Sequence, residues 1–521
     1  METTLQDLRY AVRALGRQPG FAAIAVLTLA VGIGANTAIY SVVNATLLRP
    51  LPYKDPDRLM RVSLIMPSFH GRPPMDMVWS YPKYEAFSRL QTAFEDAALY
   101  QGCSFNLTGV GEPEQIRCEL VSASYFHLLG ISAEAGRTFL PEEDVVPERN
   151  MVAMISHNLW ATRYGGRADA VGRTITLSLK SYTIVGVLPA SFQPLSGTAD
   201  VWLPMHIQGA KSLAFAQSHS AELVARLKPG VSAAQAKAEV VALGPRIEEV
   251  HPDSRLKGWG AKAATLNEVR IDASTRTAVL VLFGAVSFVV LIACVNISNL
   301  LLVRGSARSR EIAIRLAVGA SRVRLMRQLL TESVLLAVAG ATAGLAIAYV
   351  GVRVLSIINP ANGTAFGRRM SGLTVLGLTS IRLDLNALLF TAAVTLLTGI
   401  LFGLLPAWQN SRSAVAGSLH AAGPTPSGIG GLGLFSWRNL LVISEMALAV
   451  VLLVGAGLMI KSFGRLMATS TGVDPDNVLT VRINLPGSAP EPAAATFFQE
   501  VERRVAALPG VQSVGLGDCP R

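Results

Sequence analysis

From Phe21 to Leu48 the chain carries no charged residue, and the same holds for Thr277–Val303, Ser333–Val352 and Leu385–Ser411. A fifth run, Asn439–Ile460, is broken only by Glu445. A helix needs about 20 apolar residues to cross the hydrocarbon core of a bilayer, so the pattern predicts five transmembrane helices. The first run is longer than the ~7–15-residue apolar part of a secretory signal. Its helical pattern continues through Tyr40-Ser41-Val42-Val43-Asn44 instead of giving way to a cleavage site. We therefore read it as an uncleaved anchor. Upstream, Leu5, Leu8, Val12 and Leu15 follow helical spacing while Arg9, Arg13 and Arg17 recur at intervals of four. That is the pattern of an amphipathic helix lying on the inner membrane surface. Gly340 with Gly344, and Gly399 with Gly403, have the spacing that lets membrane helices approach closely. Glycine is common in such helices, so the spacing is weak evidence of oligomerisation.

Between the first two runs the periodicity changes repeatedly. "DRLMRVSL" and "AELVARL" read as strands, and "GRTITLSLKSYTIVGVLP" alternates as a hairpin does. "YPKYEAFSRLQTAF" reads as a helix with Tyr84, Phe87, Leu90 and Phe94 on one face. "SAAQAKAEVVALGPRIEEV" reads as another, with Ser232 as its N-cap. The stretch from Arg49 to Asp272 is long enough for one or two cores, and the expected class is α+β: a βα layer carrying an inserted β subdomain. "KDPDRLMRVSL" at 54–64 returns as "VDPDNVLTVRINL" at 473–485, each just beyond a membrane run. "PAAATFFQEVERRVAALPG" then reads as a helix with Phe498, Val501 and Val505 on one side, and "VQSVGLGD" as a strand. The chain restarts its plan near Asn439, which makes it read as a truncated one.

Charge sets the orientation. Only 16% of the residues are charged and 51% are hydrophobic, against about 25% charged in a soluble domain. Arg49 to Asp272 holds 23 Lys/Arg and 23 Asp/Glu, whereas Arg304 to Arg327 holds seven Arg and only Glu311. Basic short loops stay in the cytoplasm. Arg9, Arg13, Arg17, Arg412 and Arg438 agree with that side; Arg368, Arg369 and Arg382, in the predicted outer loop, dissent. The large region between the first two runs then lies outside. The basic excess sits beside membrane runs, without the aromatic or motif support that nucleic-acid binding would need.

No catalytic chemistry is legible. His127, His157, His206, His219 and His251 are scattered, and the chain has no HExxH, GxSxG or GxxxxGK[ST]. We assign no catalytic, cofactor or metal residue and expect no enzyme. Glu142-Glu143-Asp144 reads as a solvated turn. The four cysteines form no CxxC. Cys103 and Cys118 can pair if their region is extracytoplasmic, although two separate buried thiols is the plainer reading. Glu445, an intramembrane acid, is a functional candidate by default; it lies near the inner surface, where snorkelling to water is the plainer account.

"LRYAVRALGRQPGFAAIAVLTLAVGIGANTAIYSVVNATLLRPLPYKDPDRL" and "REIAIRLAVGASRVRLMRQLLTES" resemble the MacB/FtsX-type ABC transporter permeases, in particular their duplicated orphan permease branch. The resemblance implies an α-helical membrane protein with five transmembrane helices and a large α+β extracytoplasmic domain. Its expected parts are a cytoplasmic amphipathic helix (1–20), transmembrane helix 1 (21–48), a MacB-like periplasmic core domain (49–275), an FtsX-like unit with three transmembrane helices (276–411), a cytoplasmic loop (412–438), transmembrane helix 5 (439–463) and an incomplete second periplasmic domain (464–521). The implied function is that of a permease subunit. It would couple ATP hydrolysis by a separate cytoplasmic ABC-type ATPase to motion of the periplasmic domain, for export or extrusion. The alternative is an FtsX-like regulator of a periplasmic enzyme that transports nothing. The implied site is inner-membrane and multi-pass. Membrane lipids are expected partners, and a second copy in a dimer or a periplasmic adaptor are further ones the family admits.

In that family the connection between the second and third spans contacts the ATPase. Carried onto this chain, the coupling element is Arg310, Glu311, Ile312, Arg315, Leu316, Gly319 and Ser321. Glu311 and Arg315 are four apart and can pair. Ile312 and Leu316 share a face suited to a groove. Gly319 would stop that helix, and Ser321 would cap the next. For Arg304, Arg308 and Arg327, fixing the loop inside and binding anionic lipid heads is an equally good account.

Overall fold

The computed structural model describes residues 2–69, 71–108, 113–253, 255–271, 273–307, 314, 321–357, 381–400, 437–467 and 491–516, with the single positions 478, 479, 481 and 483. Helix α1 (Glu2–Gly16) is the expected amphipathic segment. Pro19 opens α2 (Pro19–Val43), where its missing N–H costs nothing. The helix then widens into one π turn, Asn44–Leu48.

The outer domain follows, in the order β1 (Leu59–Met66), β2 (Met75–Met77), α3 (Tyr81–Leu90), β3 (Phe94–Thr108), β4 (Glu114–Val121), α4 (Tyr125–Leu129), β5 (Ala135–Gly136), β6 (Val152–Ile155), α5 (His157–Tyr164), β7 (Thr174–Leu177), β8 (Lys180–Val187), β9 (Val201–Pro204), α6 (Ala210–Ala214), β10 (Glu222–Leu227), α7 (Ala233–Val250), β11 (Gly260–Thr265) and α8 (Leu266–Val269). All of these strands join one sheet in the order β11-β1-β10-β3-β4-β9-β6-β8-β5, with β2 on β1 and β7 bridging β3 and β8. The expected hairpin forms as β7–β8. It is no separate subdomain, because β7 also pairs with the far end of β3 at Leu107 and Thr108.

Period-two alternation covers both faces of the sheet. Met60, Val62, Leu64, Ala97, Leu99, Leu223 and Ala225 enter one core, on which α7 lays Ala236, Val240, Leu243 and Ile247. Leu59, Ala98, Tyr100 and Val224 enter the other, together with Leu51 and Tyr53 from the entry chain and Leu266 from α8. Ser232 caps α7 in a reciprocal box with Gln235. Two expectations give way here. Phe94 is not on the α3 face: the helix stops at Leu90, Gln91 is extended, and Phe94 opens β3. The acidic run is not a solvated turn. Arg137 binds Glu143 through two nitrogens at 2.8 and 2.6 Å, and Asp144 accepts from the Ala123 N–H at 3.0 Å and bonds the His206 ring at 2.8 Å. Only Glu142 faces solvent.

Cys103 and Cys118 stand opposite each other in the β3–β4 register. Their Cα atoms are 4.8 Å apart and the sulfurs are bonded. The plainer reading of two separate thiols is thereby overturned: cross-strand neighbours at this spacing are within disulfide reach.

Beyond the domain run α9 (Ala273–Ala307), α10 (Arg322–Ile357), α11 (Leu385–Ile400), α12 (Trp437–Met467) and α13 (Glu491–Ala506). Among the described residues four helices are long and apolar enough to span, the first being α2 with its π turn and the others α9, α10 and α12. Against the five expected, four such helices stand among the described residues. Helix α11 is a shorter apolar helix, and residues 401–411 of its predicted run lie outside the described residues. Residues 511–516 form no strand, contrary to expectation.

Helix α2 is the centre of the bundle. A Cβ on Gly34 would sit 2.7 Å from the Gly344 carbonyl oxygen, and one on Gly340 would sit 2.4 Å from Leu29 Cβ. The small residues at 340 and 344 thus serve the contact of α10 with α2 inside one chain. Leu29, Ile33, Ile297, Ala337 and Ala341 fill the inner half of the bundle. Thr37 and Thr391 share a 2.9 Å hydroxyl–hydroxyl bond, and Tyr40 stacks on Phe390 with centroids 4.0 Å apart.

Overpacking this contact is expected to cost about 1–3 kcal/mol. Gly344→Val should lower the melting temperature of the full chain in detergent without changing its elution volume. Gly455→Val on α12, where nothing lies within 4 Å, should leave both unchanged. A shift in oligomeric state at constant melting temperature would contradict the intrachain role.

Candidate functional site

The helices separate two ends. Helix α9 leaves the outer domain at Ala273 and runs to Ala307, and α10 returns from Arg322. Ala307 and Arg322, which flank the arginine-rich connection, are therefore at the end of the bundle away from the domain. Helix α1 lies at this end too, packed on α10 and α2. Arg310, Glu311, Ile312, Arg315, Leu316 and Gly319 lie outside the described residues, as does Arg308. Ile314 is exposed. Ser321 stands where α10 begins, its Oγ accepting the Arg324 N–H at 3.3 Å.

Five residues on from Arg327, Glu332 is buried within the apolar stretch of α10 at 3% exposure, followed by the buried Ser333. Glu445 is only half-buried on α12. Of these two intramembrane acids, Glu332 is the one held inside the bundle, and it escaped the sequence reading because it marks the edge of an apolar run. An acid there is costly and a functional candidate by default.

The other end is the root of the outer domain. The π turn closes with the Arg49 N–H on the Asn44 carbonyl at 2.7 Å. The buried Arg270, between α8 and α9, donates to the carbonyls of Ala45 and Arg49. A cation at a helix C-terminus meets both the open carbonyls and the negative end of the helix dipole. Asp384 caps α11, with Oδ1 accepting the Ala387 N–H at 3.0 Å. Its Oδ2 accepts from Asn44 Nδ2 at 2.9 Å and pairs with Arg49 at 2.5 Å. Burial opposes ionisation of Asp384, but the Ala387 N–H, Arg49 and Asn44 outweigh it and hold the carboxyl below its usual range. Neither Arg270 nor Asp384 stands out in sequence, since their partners are remote.

Two further buried groups sit in the domain. Glu119 is fully buried in the core that holds Tyr53. It accepts from Trp202 Nε1 at 2.8 Å, the Ser196 N–H at 2.9 Å and the Tyr125 hydroxyl at 3.1 Å. Burial pushes its pKa up to about 7, the three donors opposing. On the other face, the Lys83 ammonium lies 4.1 Å from the centroid of the Trp259 ring and 3.1 Å from His219 Nε2. Burial and the Lys83 charge bring His219 down to about 4. Among the described residues, no three His, Cys, Asp or Glu gather as a metal site would require.

Two family models match the chain: a MacB-like periplasmic core domain over residues 22–243 and an FtsX-like permease C-terminal domain over 283–415. The macrolide export ATP-binding/permease protein MacB of Chromobacterium violaceum is 26% identical over 320 residues, 61% of this chain and 44% of that one. MacB of Escherichia coli strain K12 is 26% identical over 295 residues, 56% of this chain and 41% of that one. The chain thus spans less than half the length of these relatives. The crystal structure of the periplasmic region of MacB from Actinobacillus actinomycetemcomitans aligns at 12% identity and a TM-score of 0.30, over 41% of this chain and 91% of that one.

Glu119 sets a pH dependence with a defined sign. Its folded pKa, about 7, lies above the ordinary 4.5, so its contribution is fully present below pH 4.5 and is lost as pH rises through 7, by about 3 kcal/mol in all. Tryptophan-detected unfolding of the full chain should show this decline, and Glu119→Gln should flatten it. His219 acts in the opposite sense: with its pKa lowered to about 4 from 6.5, its contribution is complete above pH 6.5 and is lost as pH falls through 4.

Proposed function

The chain belongs to the MacB/FtsX-type ABC transporter permeases, and from that premise we propose that it couples ATP hydrolysis by a separate cytoplasmic ATPase to movement of its outer domain, for export or extrusion. The observation that carries the reading is the separation of the two ends. Ala307 and Arg322, which flank the arginine-rich connection, stand at the end opposite the outer domain; α9 runs from the domain to that end and α10 runs back from it. A partner closing on the connection can displace those helices, and rigid helices pass displacement along their length. The positive-inside charge supports an inner-membrane setting with the connection in the cytoplasm.

On this reading Ile312 and Leu316 enter a groove on the ATPase, Glu311 and Arg315 brace that turn, and Arg304, Arg308 and Arg327 lie among anionic lipid heads. Cargo is taken outside the cell interior or from the outer leaflet and is moved by the outer domain. The named cargo of the relatives, macrolides, makes large amphiphilic molecules the first class to try.

The test is co-purification of the full chain with ATPases from its own cell membrane, followed by hydrolysis assays. Replacing Ile312 and Leu316 by Asp should reduce stimulation of the bound ATPase roughly tenfold or more, as loss of an apolar anchor does. Replacing Arg308 by Gln should weaken lipid dependence and leave stimulation nearly intact. If no ATPase accompanies the chain, or the double Asp variant stimulates like the parent, the reading fails.

A further inference from the structure

We propose that Asp384 is a tether that makes α11 and the root of the outer domain move as one body. The inference deepens the transport reading and takes its purpose from it, but it stands on separate geometry. Asp384 belongs to two structures at once. Through Oδ1 and its own carbonyl it starts α11, bonding the N–H groups of Ala387 and Leu388, each at 3.0 Å. Through Oδ2 it holds the outer end of α2, at Asn44 and Arg49. The Arg49 carbonyl in turn accepts from Arg270, which also holds the Ala45 carbonyl. Arg270 is the last part of the outer domain before α9. One carboxylate therefore closes a circuit through α11, the exit of α2 and the return of the domain to the membrane.

The charges suit the places they occupy. Asp384 is at the N-terminus of α11 and Arg270 at the C-terminus of the α2 turn, so each complements the helix dipole it meets. Arg49 and Asp384 are about one-fifth exposed, and that partial shelter screens the pair less than open water would. Toward the other end of the bundle, α11 is seated against α10: a Cβ on Gly399 would lie 3.2 Å from Val334 Cα. A physical path thus runs from the start of α10, where the arginine-rich connection ends, across Val334 and Gly399 into α11. From there it passes through Asp384 to the domain. Coupling requires an element that both ends bias, and the path identifies Asp384 as the residue whose removal must break it.

The experiment uses the full chain in nanodiscs, with Cys294 and Cys519 replaced by Ser and the Cys103–Cys118 disulfide kept. Spin labels go on Val241→Cys, exposed on α7, and Leu389→Cys, exposed on α11. The parent should give one narrow distance distribution. Asp384→Asn keeps a capping side chain on α11 but loses the charge, and should broaden the distribution roughly twofold through local opening. Arg49→Gln should do the same, and the double variant should broaden it no further, because both changes break one bond. A parent-like width in Asp384→Asn, or additive broadening in the double variant, overturns the tether. If Asp384→Asn does not fold, Asn44→Leu, which removes one of the two bonds to Oδ2, takes its place, and an unchanged width there overturns the proposal equally. No ATPase is present in these samples. A broadened variant in a chain that stimulates no ATPase would therefore keep the tether while the transport reading fell.

Discussion

The outer domain is tied back to the membrane at two backbone carbonyls, one in the π turn that ends α2 and one on the residue after it. A helix terminus cannot satisfy its last carbonyls from within, and at a membrane boundary an unmet one is expensive. Arg270 meets the carbonyls of Ala45 and Arg49. It can do so only because the domain returns to the place it left. Strands β1 and β11 are antiparallel neighbours, with Met60 opposite Thr265, so the entry and exit of the domain lie side by side. The antiparallel pairing brings the guanidinium back to the carbonyls it meets.

The bundle beneath obeys a different constraint. Lipid supplies no hydrophobic drive for helices to associate, so close backbone approach and shared polar contacts must do it. Gly34 and Gly344 supply the first, and Thr37 with Thr391 the second. Helix α12 shares little of this packing; among its described side chains, Leu453, Ile460 and Met459 are largely exposed. Apolar side chains so exposed are at home in lipid or against another apolar surface.

What could be foreseen follows from the range of each force. Apolar runs, the Ser232 cap and the β7–β8 hairpin are local, and their residues declare them within a few positions. The end of α3 is not legible locally, because Phe94 keeps helical spacing while the pairing of β3 with β10 at Leu227 takes it into the sheet. The acidic run looked solvated because Arg137 and His206, which bury Glu143 and Asp144, become its neighbours only after folding. Asp384 and Arg49 are 335 residues apart, and no periodicity joins them. Glu119 is an ordinary polar residue of a strand until Trp202, Tyr125 and Ser196 close over it. The Gly340–Gly344 spacing is visible in the sequence, but whether it faces another chain or its own is decided only by the partner helix; Gly403 of the second pair lies outside the described residues.

Strand β3 has a geometric consequence of its own. It begins at Phe94 beside Leu227, whose carbonyl is held by the side chain of Arg58 near the root, and it ends at Thr108 beside the β7–β8 hairpin. Fifteen residues in one extended strand make a rod of about 50 Å at ~3.3 Å per residue. Tilting such a rod by about 10° carries its far tip through roughly 9 Å, even if its base hardly shifts. The disulfide between Cys103 and Cys118 fastens the adjoining strand along the distal part of that rod. A rotation too small to disturb helix packing can thus become, at the summit, a stroke comparable in size to a small molecule.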